Sequence, residues 1–182
     1  MFGGDNMPEV CETLVVFASP HKNGFTSRLL NRFLKENSIE NYYLFDCFKE
    51  MPLPCIGCNK CESEFTCSQP DLKEFGRVFR QCSRIVIATP IYNGSLPAPL
   101  KALADRNQIY YSARFSRGER GLAAPKQAAV LLTCGSPLDK TNSILDILLP
   151  IFSVTSTTLI GSCIWAGTDS NAPQPKEIPI FK

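Results

Sequence analysis

The stretch that decides the fold is LVVFASPHKNGFTSR, residues 14 to 28. Its apolar start, with Val15, Val16 and Phe17, predicts a strand buried on both faces, and Ser19-Pro20 ends that strand. The loop that follows consists of small polar residues, and the next helix begins with unpaired backbone N–H groups. Hydroxyls, amides and a helix N-terminus in one loop predict a binding site for a phosphate group.

This loop carries neither of the two phosphate motifs that a pattern identifies. It lacks the G-x-x-x-x-G-K-S/T of the P-loop and the G-x-G-x-x-G of the dinucleotide fold, so ATP, GTP and a Rossmann-type NAD site lose support. Its position after a first buried strand resembles the FMN-phosphate loop of the flavodoxin-like fold. The alternative is an ordinary strand-to-helix connection in which Thr26 is the N-cap.

Length, charge and composition exclude several classes of protein. At 182 residues and 44% hydrophobic content, the chain can bury one core and is expected to form one domain. A net charge of +2 is too small to predict binding to nucleic acid or an anionic membrane. The sequence has no apolar run of membrane-spanning length and no signal-peptide pattern at its start, so we expect a cytoplasmic protein without membrane or nucleic-acid partners.

Apolar runs and helical periodicity alternate along the rest of the chain. They predict further strands at 41–47, 84–89, 127–133 and 157–165, and helices at 26–36, from 71, 97–107 and 140–152. Residues 108–126 show no strong period and predict an unstructured connection. Five buried strands alternating with helices predict an α/β three-layer sandwich whose parallel sheet has helices on both faces. Ligands bind at the carboxyl ends of the strands in such sheets.

A second loop lies at one of these strand ends, in TPIYNGSLPAPLKALADR, residues 89–106. Tyr92 offers an aromatic plane, and Asn93-Gly94-Ser95 offers backbone amides. The segment is similar to the flavin-binding segment of the NAD(P)H-dependent FMN reductase family, and SPHKNGFTS resembles that family's phosphate loop in position and composition. The resemblance implies a flavodoxin-like fold with strand order 2-1-3-4-5. Its domain would span residues 12–166, after a flexible lead-in at 1–11 and before a C-terminal tail at 167–182.

The resemblance also implies a set of cofactor-binding residues and no catalytic side chain. The FMN phosphate would be held by Ser19, Lys22, Asn23, Gly24, Phe25 and Thr26. The flavin ring would be lined by Pro90, Ile91, Tyr92, Asn93, Gly94 and Ser95, and approached by Cys134, Gly135 and Ser136. NAD(P)H is the possible cosubstrate, and a homodimer or homotetramer is expected, with residues 108–126 as the candidate contact.

Four of the nine cysteines lie close together in PCIGCNKCESEFTC, at Cys55, Cys58, Cys61 and Cys67. The C-x2-C-x2-C spacing of the first three matches the run that holds a [4Fe-4S] cluster in bacterial ferredoxins. Structural zinc more often uses two separated pairs. The run resembles that of the iron-sulfur flavoproteins, a branch of the same fold, and implies a ferredoxin-type electron donor. The gap before Cys67 is longer than in ferredoxins and Ser68 replaces their proline, so a loop without metal is the alternative.

The other candidate residues do not indicate one particular reaction. His21 is the only histidine, and its position in the phosphate loop favours an anion contact over acid–base catalysis. Arg114, Arg117 and Arg120 either meet NAD(P)H phosphates or a neighbouring subunit, or form a solvated face. The remaining five cysteines, which are scattered singly, are expected to be small buried apolar residues.

These observations together predict an FMN-binding redox protein that passes electrons between a reduced donor, ferredoxin or NAD(P)H, and a small-molecule acceptor. The cysteine run predicts that electrons pass through a [4Fe-4S] cluster. Two alternatives remain: an NAD(P)H-dependent FMN or quinone reductase without a cluster, and a zinc-stabilised binding module. The flavin itself would carry the chemistry in either redox protein.

Overall fold

A computed structural model describes residues 11–137 and 141–181 of the chain. The strands lie at Thr13–Phe17 (β1), Tyr43–Asp46 (β2), Arg84–Pro90 (β3), Lys126–Cys134 (β4) and Thr157–Ala166 (β5). They form one sheet in the order β2-β1-β3-β4-β5, and every neighbouring pair is parallel. The predicted flavodoxin-like strand order is therefore confirmed. The lead-in predicted for residues 1–11 falls almost entirely outside the described residues.

The helices cover both faces of this sheet. They lie at Phe25–Glu36 (α1), Cys47–Glu50 (α2), Lys60–Ser63 (α3), Lys73–Gln81 (α4), Ala98–Asp105 (α5), Gln108–Phe115 (α6) and Thr141–Val154 (α7), with a 3-10 turn at Thr168–Ser170. Alternate residues of β1 point to opposite faces: Val15 packs with Leu29 and Phe33 of α1, whereas Leu14 belongs to the core on the other face. None of the helices in the described ranges is long and apolar enough to cross a membrane.

The prediction of an unstructured connection over residues 108–126 is wrong at its start, where α6 forms. The helix is held by burial of one face, with Tyr110 and Ala113 only 4% and 1% exposed. The opposite face exposes Tyr111 and Phe115, whose rings lie 4.7 Å apart. Because both faces carry aromatic residues, the sequence shows no amphipathic period, and only packing against the core distinguishes them.

Two element boundaries also differ from the sequence prediction. The second strand ends at Asp46, because the Asp46 carboxylate accepts a hydrogen bond from Phe48 N and caps α2, which begins at Cys47. Helix α1 begins at Phe25, and its N-cap is Gly24 in place of the Thr26 considered above. Thr26 lies inside the first turn and its hydroxyl bonds elsewhere.

The C-terminal tail packs along α1. Arg32 of α1 donates to the carbonyls of Pro175 and Lys176. Asn37, the C-cap of α1, accepts a hydrogen bond from Phe181 N at 2.7 Å. The Phe181 ring meets Phe33 edge-on, with ring centroids 5.6 Å apart. The tail therefore covers the end of α1 that lies farthest from the carboxyl edge of the sheet.

Candidate functional site

Three of the predicted loops follow β1, β3 and β4, which are adjacent strands, so these loops lie side by side at the carboxyl edge of the sheet. Hydrogen bonds tie them together there. Ala18 N donates to Ala88 O at 2.9 Å, and Ile91 N donates to Thr133 O at 2.8 Å. The hydroxyls of Thr26 and Thr133 lie 2.7 Å apart and are buried. The start of α1 is thereby held against the end of β4.

The loop between β1 and α1 forms a compact turn around the carbonyl of His21. That carbonyl accepts from Gly24 N and from Ser27 Oγ, each at 3.1 Å. A Cβ on Gly24 would lie 3.0 Å from the His21 Cβ, so the close turn favours glycine. The first turn of α1 leaves N–H groups without intrahelical acceptors, and the positive end of the helix dipole adds to them. This turn can hold an anion.

The side chains predicted to hold a phosphate differ in their burial and in their contacts. Ser19 is buried and accepts from His21 N at 3.3 Å, whereas Asn23 is exposed. Phe25 packs edge-on against Trp165 of β5, with ring centroids 4.9 Å apart, so the loop can meet an anion through the Phe25 backbone and not through its ring. The Thr26 hydroxyl is hydrogen-bonded to the Thr133 hydroxyl. The backbone is therefore the larger part of this candidate site.

Lys22 forms an ion pair that the sequence analysis did not foresee. Its Nζ contacts the carboxylate of Asp46 at the end of β2, and it lies 5.0 Å from the centroid of the Phe17 ring. The Asp46 side chain is 12% exposed. Asp46 could have been identified from the sequence as a carboxylate at the end of a predicted strand, because the strand ends of a parallel sheet meet at one edge. Lys22 thus links the phosphate loop to β2.

The loop after β3 is a tight turn. Tyr92 and Ser95 exchange two backbone hydrogen bonds, of 3.0 and 2.9 Å, and the two residues between them, Asn93 and Gly94, have φ of 51° and 73°. Positive φ at both central positions is the type I′ pattern, for which Asn-Gly is the preferred pair. The turn leaves the Tyr92 ring 42% exposed, while Ile91 is buried. It presents an aromatic plane and backbone amides at the sheet edge, beside the end of β3 at Pro90.

The loop after β4 is covered by the 3-10 turn. Gly167 N donates to Ser136 O at 2.8 Å, and Asp169 N donates to Gly135 O at 3.4 Å. The Asp169 carboxylate lies so close to Gly135 that an added Cβ would be 2.3 Å from Oδ2. Cys134 is 9% exposed. Sequence analysis missed Asp169, because nothing local links it to a loop more than 30 residues earlier. The predicted loop continues through residues 138–140, which lie outside the described residues.

The cysteine loop is closed into a ring by Arg106, whose side chain is 4% exposed. Its Nη1 donates to Leu53 O at 3.0 Å and to Asp71 Oδ1 at 2.9 Å, and its Nη2 donates to Gln69 O at 2.9 Å. Asp71 Oδ2 in turn accepts from Leu53 N at 3.0 Å. One guanidinium therefore joins the segment before the first cysteine to the segment after the last. Arg106 is the final residue of the flavin-like stretch in the sequence, where no role was assigned to it.

All four cysteines of this loop line one cavity of about 320 Å³, together with Arg106 and Ile109. The loop turns sharply at Gly57 and Asn59, with φ of 64° and 59°. Among the described residues, no group of three or more His, Cys, Asp or Glu side chains is arranged to hold one metal ion. The described structure therefore places the four thiols around one cavity without arranging them as a metal site.

The thiols of the cysteine loop have distinct polar neighbours. The Cys58 thiol lies 3.0 Å from Ser68 Oγ, and hydrogen bonding from Ser68 lowers the pKa of Cys58. The Cys61 thiol lies 3.6 Å from Ser112 Oγ. Arg117 donates to the Cys61 carbonyl and pairs with Glu119. Since the thiolate is the form that binds metal, a lowered pKa at Cys58 favours ligation.

The other arginines of residues 108–126 do not form a single solvated face. Arg114 donates to Ser153 O at 2.8 Å. Arg117 is 13% exposed in its side chain and supports the cysteine loop, as described above. Arg120 lines a small surface cavity. The predicted burial of the five scattered cysteines holds for Cys47, Cys82 and Cys134, whereas Cys11 and Cys163 are half-buried, and all nine thiols are free.

Helix α5 connects the two groups of candidate residues. It begins three residues after the Tyr92–Ser95 turn and ends at Asp105, which lines the cysteine cavity. Its eight residues span about 12 Å at 1.5 Å per residue. The flavin-like loops therefore lie at the sheet edge, and the cysteine cavity lies about one short helix away from them.

Known proteins resemble this chain in sequence and in fold. The family model described as NADPH-dependent FMN reductase matches residues 12–170. An iron-sulfur flavoprotein of Methanocaldococcus jannaschii is 33% identical over 97 residues, which are 51% of this chain and 50% of that protein. One from Methanosarcina thermophila is 30% identical over 105 residues, covering 56% and 54%. The chain thus matches about half the length of these curated relatives.

Solved structures support the fold. An NAD(P)H:quinone oxidoreductase from Methanothermobacter marburgensis has a TM-score of 0.66 at 17% identity, covering 87% of this chain and 85% of that one. An azoreductase from Bacillus anthracis has a TM-score of 0.59 at 14% identity, covering 87% and 88%. At such low identity, these likenesses concern the arrangement of strands and helices alone.

Proposed function

Since the chain belongs to the NADPH-dependent FMN reductase family, we propose that it is a flavin-dependent oxidoreductase with FMN at the junction of the β1, β3 and β4 loops. The observation that carries this proposal is the contact between Thr26 and Thr133, at 2.7 Å, which brings the start of α1 to the end of β4. The β1–α1 turn, the exposed Tyr92 and the amides of the Asn93-Gly94 turn would then share one sheet edge. Together they would suit a phosphorylated planar ring system.

The residues at the junction of the three loops would bind different parts of FMN. FMN, when bound, supplies transfer of electrons to and from an external molecule. The phosphate would meet the turn formed by Ser19, Asn23, Gly24, Phe25 and Thr26, with Lys22 beside it on Asp46. The ring would lie against Pro90, Ile91, Tyr92, Asn93, Gly94 and Ser95, with Cys134, Gly135 and Ser136 opposite. The backbone N–H groups of Asn93 and Gly94 would stabilise negative charge on the ring.

We further propose that Cys55, Cys58, Cys61 and Cys67 hold a [4Fe-4S] cluster and that electrons enter from a ferredoxin-type donor. Three observations support this: the four thiols share one cavity, Arg106 closes the loop around it, and hydrogen bonding from Ser68 lowers the pKa of Cys58. Two curated relatives are named iron-sulfur flavoproteins. The cluster would lie about the length of α5 from the flavin-like turn.

A second candidate function is that of an NAD(P)H-dependent FMN or quinone reductase without a cluster. The family description names NADPH as the donor, and one structural neighbour is an NAD(P)H:quinone oxidoreductase. A zinc-stabilised binding module has less support, because zinc needs four ligands at one centre.

The test is an anaerobic absorption spectrum of the freshly purified chain, with iron, acid-labile sulfide, zinc and extracted flavin assayed on the same sample. Flavin bands with a broad cluster shoulder and about four irons per chain are expected. Cys58→Ser should remove the shoulder and leave the flavin, and Cys163→Ser, which lies outside the loop, is the matched control. Flavin without iron would favour the second candidate. Failure to bind FMN, even when FMN is added to the folded protein, would overturn the proposal.

A further inference from the structure

A second cavity of about 320 Å³ lies beside the cysteine cavity, between the start of α4 and the first turn of α6. Cys67, Gln69, Arg106 and Ile109 line both cavities, so the two share a wall. None of the flavin-like loops at the sheet edge contributes to it. Its volume falls in the range of small-molecule sites.

The charged residues that line this cavity are all cationic. They are Lys73 and Arg80 of α4, together with Arg106, and no carboxylate lies among the lining residues. Arg106 is neutralised by Asp71, whereas neither Lys73 nor Arg80 pairs with a carboxylate among the described residues. Two cations are therefore left without a counter-charge at a partly enclosed cavity, which favours an anionic ligand.

Two buried hydrogen-bonding atoms of residues that line this cavity also lack partners. The Tyr110 hydroxyl and Arg106 Nε are the two buried side-chain N or O atoms in the described ranges that make no hydrogen bond. These residues are only 4% and 6% exposed. A buried donor without an acceptor costs free energy, so such groups call for an explanation, and a bound ligand is one. Burial raises the pKa of Tyr110 to about 12, and both the charge of Arg80 and hydrogen bonding from it oppose the rise, so the guanidinium lies beside a hydroxyl that keeps its proton.

The rest of the lining is apolar and largely aromatic. The Phe65 ring meets Tyr110 edge-on at 5.3 Å, and Phe75 stacks on Phe79 at 5.7 Å, so the wall is held rigid. Leu72 and Ile109 complete the apolar surface. Aromatic walls together with cationic donors suit a planar ring that carries a charged oxygen.

We propose that this cavity is a second ligand site, which binds a small aromatic anion with its ring between Phe65 and Phe75 and its anionic oxygen towards Arg80 and Lys73. The inference does not require the flavin or the cluster, although the shared wall places the ligand next to the cysteine cavity. The class of ligand includes aromatic carboxylates and phenolates, because both combine a flat ring with a negative oxygen.

Isothermal titration calorimetry of the FMN-saturated full chain tests this proposal, with 2-naphthoate as the probe and uncharged 2-naphthalenemethanol as its matched control. Saturation with FMN fills the flavin loops, and the variants below distinguish binding in the cavity from stacking on the flavin. We expect naphthoate to bind with a 1:1 stoichiometry, and the alcohol to bind at least tenfold more weakly. Equal affinity for the two compounds would overturn the anion-binding role, and no heat from naphthoate at millimolar concentration would overturn the site itself.

Variants then locate the binding. Arg80→Gln should weaken naphthoate at least fivefold, and Arg80→Lys should restore most of the affinity. Arg77→Gln is the matched control, because Arg77 lies on the same helix, pairs with Glu74 and does not line the cavity. Thermal melting and FMN content, measured on each variant, separate lost binding from lost folding. Unchanged affinity in Arg80→Gln and Lys73→Gln would place the ligand elsewhere and refute the proposal, whereas missing flavin or iron would count only against the proposed function.

Discussion

Arg106 and Asp71, which are 35 positions apart in the sequence, form an ion pair of 2.9 Å whose arginine is almost entirely buried. The same guanidinium bonds the carbonyls of Leu53 and Gln69. The cysteine loop is thus closed by a side chain from outside it. This relationship explains how a loop with one four-residue helix and little apolar burial keeps a defined shape.

Replacing this arginine is expected to open the cysteine loop. Arg106→Ala leaves the Asp71 carboxylate and two carbonyls without their donor, and should lower the free energy of unfolding by about 2–4 kcal/mol. Urea denaturation measures the loss, and hydrogen exchange over residues 53–71 locates it. Arg77→Ala, which breaks an exposed pair with Glu74, should cost less than about 0.5 kcal/mol. A similar cost for both variants would contradict the closing role of Arg106.

Two glycines offer a matched test of the flavin-like turn. Gly94 and Gly121 have φ of 73° and 71°, and no atom lies within 4 Å of an added Cβ at either position. Gly94→Ala and Gly121→Ala should therefore each cost about 1–2 kcal/mol of backbone strain, seen in urea denaturation. Only Gly94→Ala should weaken FMN binding, by at least tenfold in a fluorescence titration, because its turn presents the amides of the candidate site. Equal FMN affinity in the two variants would remove that turn from the site.

The lowered pKa of Cys58 predicts that, in metal-free protein, its thiol is alkylated at a lower pH than an ordinary cysteine. Its thiolate forms at lower pH than that of an ordinary cysteine, and the thiolate is the reacting form. Alkylation of Cys58 by iodoacetamide, followed by mass spectrometry across pH 6 to 9, should therefore reach half its maximal rate below the pH of a model thiol. Ser68→Ala removes the largest cause of the shift and should move the midpoint upward, whereas Ser63→Ala should not. A midpoint that is unaffected by Ser68→Ala would show that another group sets this pKa.

Burial of Cys47 predicts a loss of stability in alkali. Burial raises the pKa of Cys47 to about 12, above the value of about 9 for a free thiol, so the unfolded chain releases this proton at lower pH than the folded one. The contribution is fully present below pH 9 and is lost as pH rises towards 12, since the unfolded state then binds fewer protons. Urea denaturation at pH 8 to 11 should show a shallower loss in Cys47→Ala than in the parent. Val78→Ala, which also removes buried volume but no ionisable group, is the control and should keep the parent slope.

Much of this arrangement could be predicted from local sequence. Strands such as Val15–Phe17 consist of apolar residues that bury on both faces of a sheet, and Asn93-Gly94 demands a particular turn. Helix α6 was not predicted because its exposed face carries the aromatic residues Tyr111 and Phe115, so the sequence shows no amphipathic period. The residues assigned to FMN and to a cluster stay predictions until the spectra are measured.

The sequence by itself determined the alternation of strands with most of the longer helices, the small-residue loop after β1 and the grouping of four cysteines, because each depends on residues a few positions apart. Only the tertiary structure decided which distant side chains complete these features. Lys22 is joined to Asp46, Gly135 to Asp169, and Arg106 to both ends of the cysteine loop. Such pairs leave no local pattern, since they form wherever the packing of the sheet and its helices brings distant polar groups into contact.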